Sequence, residues 1–309
     1  MDNLLITGGS GMVGKNLLEH PSSQMYKIYA PSSQELNLFD YAEVANYLKV
    51  NSIDTIIHCA GQVGGIHANI SDPTGFLNNN LLMGINLVNA ARSSVGVKRL
   101  LNLGSSCMYP RDYLSPLKED YILCAPLEPT NEGYALAKIA VAKLCEYIRR
   151  QYGLEYKTII LCNLYGRWDK FGESNSHLIP AVIKKIYDAC TNHLPSVEIW
   201  GDGLARREFM LASDCADGIF YALANFDKLG DYTNLGLGYD YSINEYYQEV
   251  AKIIGYQGEF VHDLDKPTGM QQKLVDVTKM KNLGWTAPHV LLDGLRECYE
   301  YFLETEIIK

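Results

Sequence analysis

Asn3-Leu4-Leu5-Ile6-Thr7-Gly8-Gly9-Ser10-Gly11-Met12-Val13-Gly14 is the stretch whose reading decides the fold. Asn3 to Thr7 is a short apolar run of strand character, and Lys15 to Glu19 beyond the glycines suit a helix. Strand, glycine turn and helix in that order open a βαβ unit. Gly8, Gly11 and Gly14 carry the spacing of a dinucleotide fingerprint: they permit a tight turn, close approach of backbone to a pyrophosphate and close helix packing, with the phosphate charge facing the helix N-terminus. Gly9, Ser10, Met12 and Val13 complete the same turn. The spacing alone is weak, since a glycine-rich turn without a ligand is an ordinary alternative, but its place between an opening strand and a helix is what the fingerprint requires.

Outward from this turn, apolar runs recur at Lys27 to Ala30, Thr55 to Cys59, Arg99 to Leu103 and Tyr156 to Leu161, spaced by helix-length segments. The alternation predicts an α/β fold with a doubly wound parallel sheet, covered on both faces and wound by right-handed crossovers. After about Asn163 the pattern loosens into Gly- and Pro-rich loops, a strand-like Val197 to Trp200, a helix around Asp214 to Asn225 and a C-terminal helix near Leu291 to Leu303. The second half reads as a smaller C-terminal α/β substrate lobe. The expected division is residues 1–164 with about 212–240 for the dinucleotide and residues 165–211 with 241–309 for the lobe. A chain of 309 residues, 47% hydrophobic and 20% charged, is long enough for both.

A formal net charge of -9 argues against a nucleic-acid or anionic-membrane partner, because no run of Lys and Arg supplies a local basic patch. Eight cysteines, at 59, 107, 124, 145, 162, 190, 215 and 298, form no CxxC pair, so reduced thiols and a cytoplasmic location are expected. No apolar stretch approaches the length of a membrane span, and no targeting segment is evident. His58, His67, His193, His262 and His289 show no metal-ligand spacing, and no metal is expected.

Cofactor choice turns on the end of the second strand, where an acidic side chain would hold the adenosine 2'-hydroxyl of NAD. The segment Tyr29-Ala30-Pro31-Ser32-Ser33-Gln34-Glu35 has no acid at that point. Ser32 and Ser33 could donate to a 2'-phosphate, although no Arg or Lys stands by to pair with it. NADP(H) is favoured over NAD(H), which these residues do not exclude.

Three further places carry chemistry: Ser105 and Cys107 in LGSSCMYP, Tyr134 and Lys138 in YALAK, and His177 in NSHLIP. Tyr and Lys four apart share a helix face, so the ammonium of Lys138 can stabilise the phenolate of Tyr134 and lower its pKa from about 10. Tyr134 then becomes a proton donor to a ketone. Cys107 and His177 are not needed for hydride transfer; both titrate near neutrality and suit proton movement on the carbons beside the same ketone. Each residue has an ordinary structural alternative. Cys107 could be a packed thiol, His177 a surface histidine, and Tyr134 with Lys138 a solvated pair in a chain with 22 tyrosines. Their shared sequence setting favours the chemical reading.

The chain resembles the GDP-L-fucose synthases, bifunctional GDP-4-keto-6-deoxy-mannose 3,5-epimerase/4-reductases of the extended short-chain dehydrogenase/reductase family. The likeness runs through TGGSGMVG, SSQELNL, VGGIHANI, LGSSCMYP, EPTNEGYALAKIA, NLYG, NSHLIPA, WGDGLARREF and KLVDVTKMKNLGW. It implies a Rossmann domain with a small substrate lobe, a homodimer and a GDP-linked 4-keto sugar substrate. Cys107 would be the base and His177 the acid that exchange protons at C3 and C5, with Ser105 and Tyr134 on the C4 oxygen. Tyr134 would then donate the proton during reduction of C4, and Lys138 would also hold the nicotinamide ribose. Cofactor contacts are implied for Gly8 to Gly14, Ser32, Ser33, Leu103, Gly104, Lys138, Asn163, Leu164 and His177. Substrate contacts are implied for Ser106, Asn163, Lys185, Trp200, Arg207 and Thr268. Among these, Lys185 and Arg207 suit a pyrophosphate.

Two departures from the family pattern stand out. Arg167-Trp168-Asp169-Lys170-Phe171 follows NLYG where the family has PHDNF, and Thr268 precedes Gly269 where the family has Asp. The reaction type is therefore better specified than the sugar, and a related GDP-4-keto sugar such as a 6-deoxy-heptose remains an alternative. So does a C4-reductase that has inherited Cys107 and His177 without using them. A non-catalytic dinucleotide sensor is the alternative from another class, and Ser105, Tyr134 and Lys138 argue against it.

Overall fold

The computed structural model describes residues 1–172, 176–266 and 269–307. The first half alternates as β1 (Asn3–Thr7), α1 (Met12–Glu19), β2 (Lys27–Tyr29), α2 (Tyr41–Val50), β3 (Thr55–His58), α3 (Ile66–Ser71), α4 (Pro73–Ser93), β4 (Arg99–Ser105), α5 (Glu132–Tyr152) and β5 (Glu155–Leu161). There follow β6 (Asn163–Tyr165), α6 (Leu178–Thr191), β7 (Ser196–Trp200), β8 (Arg206–Arg207), β9 (Phe209–Leu211), α7 (Ala212–Ala224) and β10 (Tyr232–Leu235). The chain closes with β11 (Tyr241–Ser242), α8 (Ile243–Ile254), β12 (Glu259–Asp263), β13 (Gln272–Lys273), α9 (Thr278–Leu283) and α10 (Leu291–Ile307).

Six strands form one sheet in the order β10-β5-β4-β3-β1-β2, with every pairing parallel. The expected doubly wound α/β sheet is present. Its strands are buried apolar runs rather than alternating ones, because helices cover both faces. Leu4 and Ile6 of β1 pack with Leu17 of α1 and Cys215, Ile219 and Leu223 of α7. Leu5, the residue between them, points the other way and joins Val44 and Leu48 of α2, Leu87 and Val88 of α4 and Ile148 of α5. The order of connection reverses between β1 and β3, which opens a crevice at the carboxyl ends of these strands. A separate core of Ile179, Ile183, Ile199, Tyr246, Val250, Leu295 and Phe302 holds α6, β7, α8 and α10 together. Among the described residues no helix is long and apolar enough to cross a membrane.

The second half holds more strand than its sequence suggested. β6, β8, β9, β11 and β13 are two or three residues each, too short to show a period of two. Tertiary contacts define them. β8 pairs with both β11 and β13, and β6 with β9.

Asn234 of β10, with no exposed surface, ties several of these pieces to the sheet. Its side chain donates to the carbonyls of Leu117 at 2.9 Å and Asp276 at 3.0 Å and accepts from the Tyr109 hydroxyl at 2.5 Å. Its backbone N–H donates to Glu119 Oε1 at 2.9 Å. Replacing it leaves buried partners unsatisfied, each a cost of about 1–3 kcal/mol. Asn234→Leu is expected to lower unfolding free energy by about 3 kcal/mol in urea titration; a loss under about 1 kcal/mol would show that the network adds little.

Candidate active site

The glycine turn leaves no room for side chains. Gly8 has φ +73°, and a Cβ there would stand 2.7 Å from both Cα and N of Ala60, just after β3. A Cβ on Gly14 would meet the Gly8 carbonyl oxygen at 2.3 Å. The turn is closed by the Gly11 N–H, which donates to Gly8 O at 3.0 Å. Helix α1 then begins with no side-chain cap and no acid in its first turn, so no carboxylate of its own competes for its leading N–H groups. This backbone cradle at the switch point fits the pyrophosphate of a dinucleotide.

No acid stands at the end of β2, as the sequence reading has it. Glu35, six residues further on, folds back so that its carboxylate accepts the Ser32 N–H at 2.8 Å, and bonds from the Ser32 backbone and hydroxyl hold its pKa below the usual carboxylate range. Of the two serines proposed for a 2'-phosphate, Ser32 is thus already engaged.

Ser105 ends β4, and the chain turns at once through a single helical turn, Ser106–Met108. The Ser105 hydroxyl oxygen caps that turn by accepting the Cys107 N–H at 3.3 Å. On α5, the Lys138 ammonium donates to Leu103 O of β4 at 2.9 Å, fixing helix to strand. Tyr134, one turn earlier, lies within electrostatic reach of Ser105 and Cys107. The structure therefore brings Ser105, Cys107, Tyr134 and Lys138 together. Gly104 lies in the strand between Leu103 and Ser105, and Ser106 is buried beside them.

Electrostatics correct one expectation. The Tyr134 phenol is not lowered; burial pushes it well above its ordinary value, and a negative charge on Cys107 pushes the same way against the Ser105 bond. Burial also brings Lys138 down to about 8, with Cys59 and Cys107 opposing. The ammonium points at the Leu103 carbonyl and stands 5.8 Å from the centroid of the Tyr134 ring, too far to dominate that phenol. Tyr134 thereby holds its proton. Cys107 moves the other way: burial raises its thiol, but the Lys273 charge and bonds from Ser105, Lys273 and Asn131 outweigh it. Lys273 Nζ and Asn131 Nδ2 each lie 3.2 Å from the sulfur.

His177 precedes α6 and is half-buried. Its Nδ1 lies 3.5 Å from Asp169 Oδ1, and this contact, more than burial opposes it, raises the imidazole above the usual histidine range. The charged partner of His177 among the described residues is thus Asp169, in the Arg167–Phe171 loop. The adjoining Ser176 carbonyl lies near Gly65, at the start of α3.

The remaining expected residues fall into two places. Asn163 and Leu164 lie in β6, where the Asn163 side chain donates to Glu208 O at 2.9 Å. Lys185 of α6 donates to Glu198 O at 2.5 Å, and Trp200 Nε1 donates to the Glu198 carboxylate at 3.0 Å, so these two share one rim. Trp200 is 43% exposed, between the edge of His67 and the Lys266 ammonium. Arg207, in β8, is mostly buried, which depresses its guanidinium. Thr268 lies outside the described residues.

Three side chains at this site escaped the sequence reading: Asp169, Asn131 and Lys273. Asp169 sits in the noted loop, Asn131 within EPTNEG and Lys273 at the head of KLVDVTKMKNLGW. The available signal was their membership of those stretches; nothing in local spacing links them to His177 or Cys107.

The sequence pattern of the NAD dependent epimerase/dehydratase family matches residues 4–238. GDP-L-colitose synthase of Yersinia pseudotuberculosis is 55% identical over 301 residues, covering 97% of each chain. GDP-L-fucose synthase of Azorhizobium caulinodans is 48% identical, covering 97% of this chain and 96% of its own. Among solved structures, a GDP-mannoheptose C4 reductase from Campylobacter jejuni with NADP bound has a TM-score of 0.87 and 31% identity, covering 98% of both chains. By fold, site and sequence, the chain belongs to the NAD dependent epimerase/dehydratase family, in the group that contains the GDP-L-fucose and GDP-L-colitose synthases.

Proposed function

We propose that the protein reduces the C4 ketone of a GDP-4-keto-6-deoxy sugar with NADPH and, at the same site, epimerises the carbons flanking that ketone. The observation that carries this reading is Cys107 beside the Ser105–Tyr134 pair, its sulfur held by Lys273 and Asn131 at 3.2 Å each. A reductase alone needs no such thiol.

In this reading the C4 oxygen lies against Ser105 and Tyr134, which stabilise the enolate formed when a neighbouring carbon loses its proton. Cys107 accepts that proton. His177, whose imidazolium form Asp169 favours, returns one to the opposite face. The bound nicotinamide supplies hydride to C4. Tyr134, held protonated by burial, gives its proton to the C4 oxygen, and Lys138 steadies the helix that carries it and holds the nicotinamide ribose. Lys185, Trp200 and Arg207 take the GDP portion, with Ser106 and Asn163 near the sugar. Residues 1–164 with about 212–240 serve the dinucleotide and residues 165–211 with 241–309 the GDP-sugar. Eight unpaired cysteines accord with a cytoplasmic location, and a homodimer completes the reading.

A second reading concerns the sugar. The colitose synthase relative is 55% identical and the fucose synthase relative 48%. A 4-keto precursor of GDP-L-colitose is therefore as open to this chain as one of GDP-L-fucose. Reduction of a GDP-heptose without epimerisation is supported by the reductase at 31% identity, and the polarised Cys107 and His177 speak against it.

Incubating a GDP-4-keto-6-deoxy sugar with enzyme and NADPH in deuterium oxide is expected to place deuterium at C5, and at C3 as well, in the reduced product. Product without label at either carbon would sink the epimerase half of the proposal. Tyr134→Phe is expected to lower the reductive kcat by about two to four orders of magnitude while NADPH binding, followed by fluorescence, stays close to wild type. Asp169→Asn bears on pH. Asp169 raises His177, so the imidazolium persists to higher pH in the wild type, and its removal should move the alkaline limb of deuterium exchange to lower pH. A limb that stays in place would detach Asp169 from His177.

A further inference from the structure

Lys273 is a cation where a packed protein seldom keeps one. Only 9% of it is exposed, its ammonium lies 3.2 Å from Cys107 Sγ, and among the described residues it makes no ion pair with a carboxylate. A buried charge without a counter-charge costs several kcal/mol. A thiol is a poor acceptor and cannot offset that cost, whereas a thiolate can.

The backbone around Lys273 is pinned independently of its side chain. β13 pairs with β8, placing Lys273 opposite Arg207. The next carbonyl, of Leu274, accepts the Leu117 N–H at 2.8 Å, and the Val275 N–H donates to Glu208 Oε2 at 3.0 Å. Glu208 also accepts the N–H groups of Leu237 and Gly238, at 2.5 and 2.8 Å. A strand held so firmly aims Nζ at the sulfur. The other groups facing Cys107 are Ser105 from β4, Asn131 from the turn before α5, and Tyr134 and Lys138 from α5. Of these only Lys138 is cationic, and its ammonium is committed to Leu103 O.

We infer that Lys273 is the positioning residue that keeps Cys107 as a thiolate aimed into the site, ready to accept a proton from carbon. The inference deepens the proposed epimerase reading and rests on it for its purpose. The step balances simply: the C–H bond breaks, its electron pair passes into the enolate, the S–H bond forms, and Lys273 stays an ammonium throughout. The thiolate is charge-paired before the step, and afterwards the ammonium faces the new negative charge on the sugar.

The test reads the thiol itself. Iodoacetamide alkylation of Cys107, quantified by peptide mass spectrometry against pH in the intact protein, needs neither sugar nor cofactor. Wild type is expected to react at neutral pH with a low apparent pKa. Lys273→Met should react at least about tenfold more slowly at neutral pH with its midpoint shifted upward by one unit or more, and Lys273→Arg should restore most of the rate. Should Lys273→Met fail to fold, Lys273→Gln carries the same comparison, with thermal unfolding confirming integrity. Superposable profiles for wild type and the neutral variant would overturn the inference, as would an Arg variant no faster than Met. Failure of the epimerase reading appears elsewhere, as absence of deuterium in wild-type product, so the two failures are distinct.

Discussion

One buried hydrogen bond, from the Lys138 ammonium to the Leu103 carbonyl at 2.9 Å, sets the relation on which the site depends. It crosses from α5 to β4, joining the helix that carries Tyr134 to the strand that ends in Ser105 and leads to Cys107. Loosened, the phenol, the hydroxyl and the sulfur would no longer share a point in space. The bond also spends the Lys138 charge on backbone, which is why that charge does not make Tyr134 acidic. The helix is further held from its other side by close packing: a Cβ on Gly84 of α4 would lie 2.4 Å from Val141 of α5, so the two long helices meet almost backbone to side chain.

Around this anchor the ionisable groups are biased in opposite senses. Cys107 is drawn down by Lys273, while His177 is drawn up by Asp169. A thiol and an imidazole in water titrate about two units apart, with the imidazole the stronger acid. The protein works against that tendency by lending each a partner of opposite charge. Both partners come from the part of the chain beyond β5, so the second half sets the charge bias of both groups.

The sheet and its glycine turn were legible because their signals are local. A strand, three glycines and a helix fall within 19 residues, and the later strands are long enough to read as apolar runs. Tyr134 and Lys138 were legible for the same reason, one helical turn apart. Lys273 was not, since it meets Cys107 across 166 residues through a two-residue strand that exists only because β8 is beside it. The return of the Glu35 carboxylate to Ser32 was not legible either, since only the folded turn brings the two together. The expected drop in the Tyr134 pKa failed because helical spacing predicts a shared face, and says nothing of burial or of where the ammonium points.

The proximity of Tyr134 to Cys107 has a consequence in time. A negative sulfur raises the phenol, and a phenolate would in turn disfavour the negative sulfur. The pair therefore resists being ionised together, in the manner of coupled sites. In the proposed function, while Cys107 is charged and ready to deprotonate carbon, Tyr134 keeps its proton; once the sulfur has taken a proton, the phenol can release its own more easily. On that proposal the wall that the two side chains share favours an order of events, with isomerisation made ready before reduction.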